Sequence, residues 1–225
     1  MTRRRRQPGF TLLEMLIALA VIGLIMLLLF GGLRLASRTW EGVESKAQAT
    51  EAQRLARGFL RRSLLQARQQ FWRVDGRQVA LFFGDREQLE FVTPLSGHVG
   101  LGGLYVMRIG LQRNDVDGAD LILQRWLLNT QVLEGSDAGI PQWQPLERPG
   151  ATEVPTDGPQ GVYGANRLVA DIQEIEWEYF GNIKGEREAR WHEEWRDQPS
   201  LPTLVRLRLL GADEWPDMVV ALVSE

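Results

Sequence analysis

One carboxylate stands inside a long apolar run near the N-terminus. The run extends from Phe10 to Leu33, and Glu14 is its only charged residue. A carboxylate near the centre of a membrane segment costs roughly 2.5–3.5 kcal/mol, so such a residue is by default a functional-site candidate with a cationic partner. The nearest such partner is an α-amino group at Phe10, which exists only if the chain is cut after Gly9. The arginines at positions 3–6 are the alternative partner.

The residue types that support catalysis or metal binding are sparse elsewhere. The chain has no cysteine, which excludes a disulfide framework, a zinc-thiolate site and a cysteine nucleophile. Its two histidines, His98 and His192, lie in no metal-binding or nucleophile motif. No Gly-x-Ser-x-Gly elbow or Gly-Lys-Ser/Thr phosphate loop occurs. The sequence therefore predicts no enzyme, no cofactor and no metal site.

The segment from Asn114 to Asp120 is rich in carboxylates and has two interpretations. If Gly118 is aligned with the invariant glycine of an EF-hand loop, Arg113 takes the first ligand position and Gln124 the last. Both positions require oxygen ligands, and the last requires a bidentate glutamate. We therefore favour a hairpin turn over a calcium site.

Aromatic residues are the remaining candidates for a functional surface, since the chain has 8 tryptophans. Trp177 lies in a predicted strand and is expected in the core. Trp191, Trp195 and Trp215 lie beside charged, loop-like sequence. They either form an exposed partner surface or cover the edge of the core, and the sequence leaves both interpretations open.

The elements that position these residues begin with a membrane helix. A helix from Phe10 to Leu33, rising about 1.5 Å per residue, crosses a hydrocarbon core of roughly 30 Å. The basic residues at 3–6 predict a cytoplasmic N-terminus, with the rest of the chain beyond the inner membrane. The run is longer than the apolar region of a secretory signal peptide and lacks its small-residue cleavage site. An uncleaved membrane anchor is the alternative.

The charge of the rest of the chain excludes one class of partner. With the four N-terminal arginines set aside, 22 basic residues stand against 29 acidic ones. Nucleic-acid binders normally present a basic surface. We therefore expect no nucleic-acid partner.

The N-terminal residues resemble a known motif. Gly9-Phe10-Thr11-Leu12-Leu13-Glu14, followed by an apolar helix, is similar to the prepilin motif of type IV pilins and type II secretion pseudopilins. The resemblance implies that residues 1–9 are a leader that a prepilin peptidase removes between Gly9 and Phe10. It also implies N-methylation of Phe10, and it implies that Glu14 guides subunit docking in a filament.

Beyond the membrane span, 10–33, apolar spacing predicts that the helix continues over 34–71. Its arginines at 54, 57, 61, 62 and 68 form either a solvated face, which we favour, or a binding patch. Residues 72–225 are predicted to be β-rich, with a long loop at about 133–164. The predicted strands are 79–83, 88–92, 104–112, 120–128, 175–180, 204–209 and 218–223. The expected fold is α+β, a long N-terminal helix packed on antiparallel sheets, as in pilins.

The C-terminal third resembles one family more narrowly. A strand ending Trp177-Glu-Tyr-Phe-Gly181, then Trp191 and Trp195, then Leu201-Pro-Thr-Leu-Val205, is similar to the minor pseudopilin called general secretion pathway protein J. The resemblance implies an inner-membrane protein with a periplasmic domain near the tip of a type II secretion pseudopilus. It implies I-type and K-type minor pseudopilins and the secretion platform as partners. A minor pilin of a type IV pilus and a membrane-anchored exoprotein-binding module are the alternatives.

Overall fold

The computed structural model describes residues 12–74, 77–97, 101–113, 118–135, 140–145, 161–210 and 215–223, and for 35–49, 74, 77, 79 and 171 it describes the backbone alone. The chain forms two compact units, Met1–Glu51 and Ala52–Glu225, which are described separately.

Helix α1 (Leu12–Leu65) begins in the first unit and extends into the second. Its segment Leu12–Arg34 is 23 residues long and is apolar enough to cross a membrane, by length and composition. The helix ends six residues before the predicted limit of 71, because the chain turns there to join a sheet. The Arg68 N–H donates to the Val92 carbonyl at 2.8 Å, and Phe71 already lies in a strand.

Two short strands follow the helix and pair with each other. Strand β1 (Phe71–Val74) runs antiparallel to β2 (Arg77–Ala80). The strand predicted at 79–83 was wrong as one element, because it divides between β2 and β3 (Phe82–Gly84). Leu81, between them, is buried and donates its N–H to the Gln70 carbonyl at 2.8 Å.

A five-stranded antiparallel sheet forms the centre of the second unit. It contains β3, β4 (Gln88–Leu95), β5 (Gly103–Arg113), β6 (Ala119–Leu127) and β7 (Tyr163–Ile172), in that order. The predicted hairpin of β5 and β6 is confirmed by the register, in which Arg113 pairs with Ala119. Its turn at 114–117 lies outside the described residues.

A second, four-stranded sheet is built from the C-terminal part of the chain. It contains β8 (Glu174–Gly181), β9 (Arg190–His192), β10 (Leu204–Leu210) and β11 (Met218–Ala221), in the order β11-β10-β8-β9. All its described pairings are antiparallel. The α+β class and the antiparallel sheets predicted from the sequence are therefore confirmed.

The main core lies between the C-terminal part of α1 and the two sheets. Ala56, Leu60 and Leu64 supply its helical side, at the spacing of one helix face. Alternate residues of the strands supply the other sides, so one face of each sheet is buried. The buried strand residues include Leu89, Phe91, Met107, Ile109, Leu121, Ile175, Trp177, Tyr179, Val205, Leu207, Met218 and Val220.

The opposite face of the five-stranded sheet has a second core. A short helix, α2 (Thr130–Leu133), and the segment 140–145 cover it. The cover contributes Val132, Leu133, Ile140 and Trp143, and the sheet contributes residues such as Val106 and Trp126. This part of the predicted long loop is therefore a packed layer.

Candidate functional site

Glu14 lies in the first turn of α1, and its side chain is exposed in the isolated chain. An acidic group in this position is favoured by the partial positive charge of the helix N-terminus. Gly9 and Phe10, the predicted cleavage and methylation positions, lie outside the described residues.

The apolar side chains around Glu14 are uncovered within the described part of the first unit. Every described side chain from Leu12 to Arg34 is exposed. Phe30, for instance, keeps 68% of its surface accessible. An apolar surface of this extent requires lipid or other protein chains to cover it. The exposure of these side chains therefore fits a segment that is surrounded by a membrane or by other protein chains. Glu14 is the charged residue within its apolar run.

Two of the three tryptophans proposed as a partner surface are instead buried. Trp195 is 1% exposed, its indole N–H donates to the Ser200 carbonyl at 3.0 Å, and its backbone bridges to Gly84. Trp215 is 8% exposed and belongs to the main core. The exposed-surface interpretation is therefore wrong for these two residues, which close the edge of the core.

Trp191 is half-buried on the outward face of the four-stranded sheet. Its ring lies 5.3 Å from the ring of Phe180, and the Arg206 guanidinium lies 3.9 Å above it. The register places Trp191 beside Phe180, Phe180 beside Leu204, and Leu204 beside Ala221. An apolar row therefore crosses all four strands, and Trp191 is the one member of the predicted trio that is accessible to a partner.

Ion pairs lie beside this apolar row. Glu178 accepts from Arg206 at 2.9 Å, and Glu176 accepts from Arg86 at 2.7 Å. The hydrogen bond from Arg86, with a further contribution from Arg208, lowers the pKa of Glu176 below its ordinary value. The pair of Arg206 and Glu178 links the neighbouring strands β10 and β8, whereas Arg86 lies in the turn between β3 and β4 and links that turn to β8.

The histidines form no metal site in the described residues, where no group of three potential ligands occurs. His192 lies with its Nε2 atom 3.1 Å from the Gly181 carbonyl, and His98 falls outside the described residues. The carboxylate-rich segment at 114–117 also falls outside them.

Sequence reasoning missed a buried ion pair beneath the cover of the second core. Arg108 Nε donates to Glu90 Oε1 at 2.6 Å, and both side chains are almost fully buried. The Trp143 indole N–H donates to the other Glu90 oxygen at 2.9 Å, and Arg108 also bonds to the Gln144 carbonyl. The pair thus fastens segment 140–145 to the sheet. Alternation alone could not reveal it, since Glu90 and Arg108 occupy different strands.

Comparison with known proteins relates these features to a family. Residues 4–30 match the family model described as the prokaryotic N-terminal methylation motif. The chain is 27% identical over 223 residues to the type II secretion system protein J of Xanthomonas campestris pv. campestris, covering 97% of this chain and 94% of that protein. No solved structure matches the chain. In its methylation motif, its apolar N-terminal helix and its sequence along nearly the whole length, the chain is therefore similar to a type II secretion system protein J.

Proposed function

We propose that this protein assembles at the tip of a type II secretion pseudopilus and supports the export of folded proteins across the outer membrane. The observation that carries the proposal is the exposed apolar helix from Leu12 to Arg34 with Glu14 in its first turn. Such a helix fits a subunit that is inserted in the membrane before it is assembled into a filament. Its apolar surface can be covered by lipid in the membrane and by neighbouring helices in the filament. The similarity to a protein J supports the secretion system over a surface pilus.

Processing creates the partner of Glu14 in this proposal. A prepilin peptidase cuts between Gly9 and Phe10, and the new amino group of Phe10 is N-methylated. In the filament, Glu14 neutralises the Phe10 amine of a neighbouring subunit, so two charges in an apolar environment satisfy each other. Removing one member of a buried pair typically costs about 3–5 kcal/mol, which is enough to fix the register between subunits.

The remaining assignments follow from the same proposal. The basic residues at 3–6 keep the N-terminus in the cytoplasm, and the β-rich unit lies in the periplasm. The partners are the I-type and K-type minor pseudopilins, the prepilin peptidase and the inner-membrane secretion platform. The protein itself has a structural role and no catalytic one.

Substitution of Glu14 tests the proposal. A strain lacking the chromosomal copy is complemented with the wild type, with Glu14→Ala, or with Glu51→Ala as the control. Glu51 is an exposed carboxylate of the same helix outside the apolar segment. We expect all three proteins to insert in the membrane and to be cleaved after Gly9, but only Glu14→Ala to lose incorporation and secretion. Wild-type incorporation of Glu14→Ala contradicts the proposed docking role.

A further inference from the structure

The sheet face beneath the cover of the second core carries a complete polar row. The cross-strand register places Glu90 beside Arg108 and Arg108 beside Gln124, so the row crosses β4, β5 and β6. Their exposed fractions are only 1%, 3% and 5%. The neighbouring row on the same face is largely apolar and consists of Val92, Val106, Trp126 and Tyr163. Charged residues are rarely buried this completely, so the polar row needs an explanation beyond packing.

Segment 140–145, here called the strap, is held on this face through its backbone carbonyls. The Trp126 indole N–H donates to the Pro141 carbonyl at 3.0 Å, and the Arg108 guanidinium donates to the Gln144 carbonyl. The guanidinium lies 4.9 Å from the centre of the Trp126 ring, so both donors are fixed side by side on the sheet. The sheet thus binds two main-chain acceptors that are three residues apart.

One side chain anchors the strap between these carbonyls. Trp143 is 5% exposed, and its indole N–H donates to the Glu90 carboxylate at 2.9 Å. Pro141, Gln142 and Gln144 are exposed by contrast. Main-chain hydrogen bonds combined with a pocket for one anchoring side chain are the means by which proteins bind extended peptides. The strap therefore has the contacts of a bound peptide, supplied by the chain itself.

The polar row also lowers the free-energy cost of uncovering the sheet. The ion pair loses its hydration when it is buried and regains it when the strap leaves. The Gln124 Oε1 atom is buried and has no hydrogen-bond partner among the described residues, while its Nε2 atom lies 3.5 Å from the Tyr163 hydroxyl. A donor from water or from a ligand would satisfy this oxygen. The strap therefore covers a surface that is compatible with solvent, unlike the main core.

We propose that the strap is the internal ligand of a peptide-binding face, and that an extended, tryptophan-containing segment of another protein chain replaces it there. The two carbonyls of that segment bind Trp126 and Arg108, and its indole N–H binds Glu90. The face lies on the side of the five-stranded sheet opposite the main core, so an incoming segment leaves α1 in place. Binding here is therefore separate from the proposed docking by Glu14.

A labelled peptide with the strap's own sequence, Ile-Pro-Gln-Trp-Gln-Pro, tests the face. Fluorescence anisotropy measures its binding to the detergent-solubilised full chain as wild type, Trp143→Ala or Trp191→Ala. Trp143→Ala loosens the strap, whereas Trp191→Ala removes a tryptophan from the other sheet and is the control. We expect Trp143→Ala to bind the peptide at least tenfold more tightly than the other two proteins. Equal binding to all three, or binding to none, overturns the proposal.

Two further probes separate peptide recognition from the filling of the space that Trp143→Ala creates. A peptide with alanine in place of tryptophan lacks the donor to Glu90, and 3-methylindole has the ring without the carbonyls. We expect each to bind at least tenfold more weakly than the strap peptide. If 3-methylindole competes as well as the peptide does, the variant has only a cavity and the proposal fails.

Hydrogen exchange of the wild-type chain tests whether the strap opens. The Trp143 backbone N–H donates to the Leu133 carbonyl at 2.8 Å. We expect this N–H to exchange at least tenfold faster than the hydrogen-bonded N–H groups within β5 and β6, because the strap opens locally. Equal rates would show that the strap opens only when the whole unit unfolds, which overturns the proposal without reliance on any variant.

Discussion

The hydroxyl group of Tyr179 in β8 donates a 2.9 Å hydrogen bond to the backbone carbonyl of Asp85, in the turn between β3 and β4. The two sheets of the second unit therefore meet at this turn. The Trp177 N–H donates to the Arg86 carbonyl, and Gly84 and Trp195 exchange backbone hydrogen bonds at the same place. The junction positions the outward face of the four-stranded sheet, including Trp191, relative to the rest of this unit.

Gly84 is the position in this junction where a side chain has no room. A Cβ atom there would lie 2.1 Å from the Tyr179 hydroxyl oxygen. We expect Gly84→Ala to lower the free energy of unfolding by about 1–3 kcal/mol or more, as overpacking of a core does. The free energy of unfolding is measured by urea unfolding of the detergent-solubilised chain. The control is Gly97→Ala, where nothing lies within 4 Å. Similar stabilities of the two variants would show that Tyr179 can move away.

The two aromatic residues Trp191 and Trp195 should differ sharply when each is replaced by alanine. Trp195 is 1% exposed, so Trp195→Ala is expected to cost about 3–5 kcal/mol in unfolding free energy. Trp191→Ala loses the contact with Arg206 and part of a half-buried ring pair with Phe180, and is expected to cost about 1 kcal/mol in unfolding free energy. The stabilities of the two variants are compared by thermal unfolding. A large loss from Trp191→Ala would assign that residue to the core as well.

Breaking the buried pair of Glu90 and Arg108 should be more damaging than replacing it. Arg108→Met leaves Glu90 buried and is expected to cost about 3–5 kcal/mol in unfolding free energy. The double variant Glu90→Leu with Arg108→Met is expected to recover much of that loss, since no charge then remains buried. Glu193→Gln, which breaks an exposed contact with Arg86 at 3.6 Å, is the control and should cost less than about 1 kcal/mol. A double variant as unstable as Arg108→Met would contradict the account.

Acid stability should depend on Glu176. Its pKa is lowered in the folded state, chiefly by the hydrogen bond from Arg86. The ionised Glu176 therefore stabilises the folded state fully when the pH is above its ordinary pKa of 4.5. This stabilisation is lost as the pH falls through the lower pKa that Glu176 has in the folded state. Glu176→Gln should lower the unfolding temperature at neutral pH and approach the wild type in acid. If the difference in unfolding temperature between the two proteins is the same at all pH values, the ionised form of Glu176 is not the source of the stabilisation.

Most strands could be predicted from alternation, but β7 could not. Tyr163 and Ala165 at its start face the second core, whereas Val169 and Ile172 face the main core. The pairing with β6 has register shifts at Leu121, so the side-chain alternation changes face within the strand. A period-two pattern is interrupted there, and the sequence shows no continuous strand signal.

The burial of Trp195 illustrates a second limit of sequence reasoning. Its neighbours Glu193, Glu194 and Arg196 are exposed, which suggests a surface loop. The residue is buried because its backbone bridges to Gly84, far away in sequence. By contrast, Glu14 could be recognised at once, since a carboxylate in an apolar run is anomalous without any tertiary information.

The most direct test of the central claim is an in-frame deletion, with exoprotein in the culture supernatant and surface pili scored in parallel. The account predicts that secretion is lost, that pili remain, and that the wild-type chain restores secretion. Intact secretion with lost pili would contradict the secretion role and assign the protein to a pilus, leaving the roles of Gly9, Phe10 and Glu14 to be tested there.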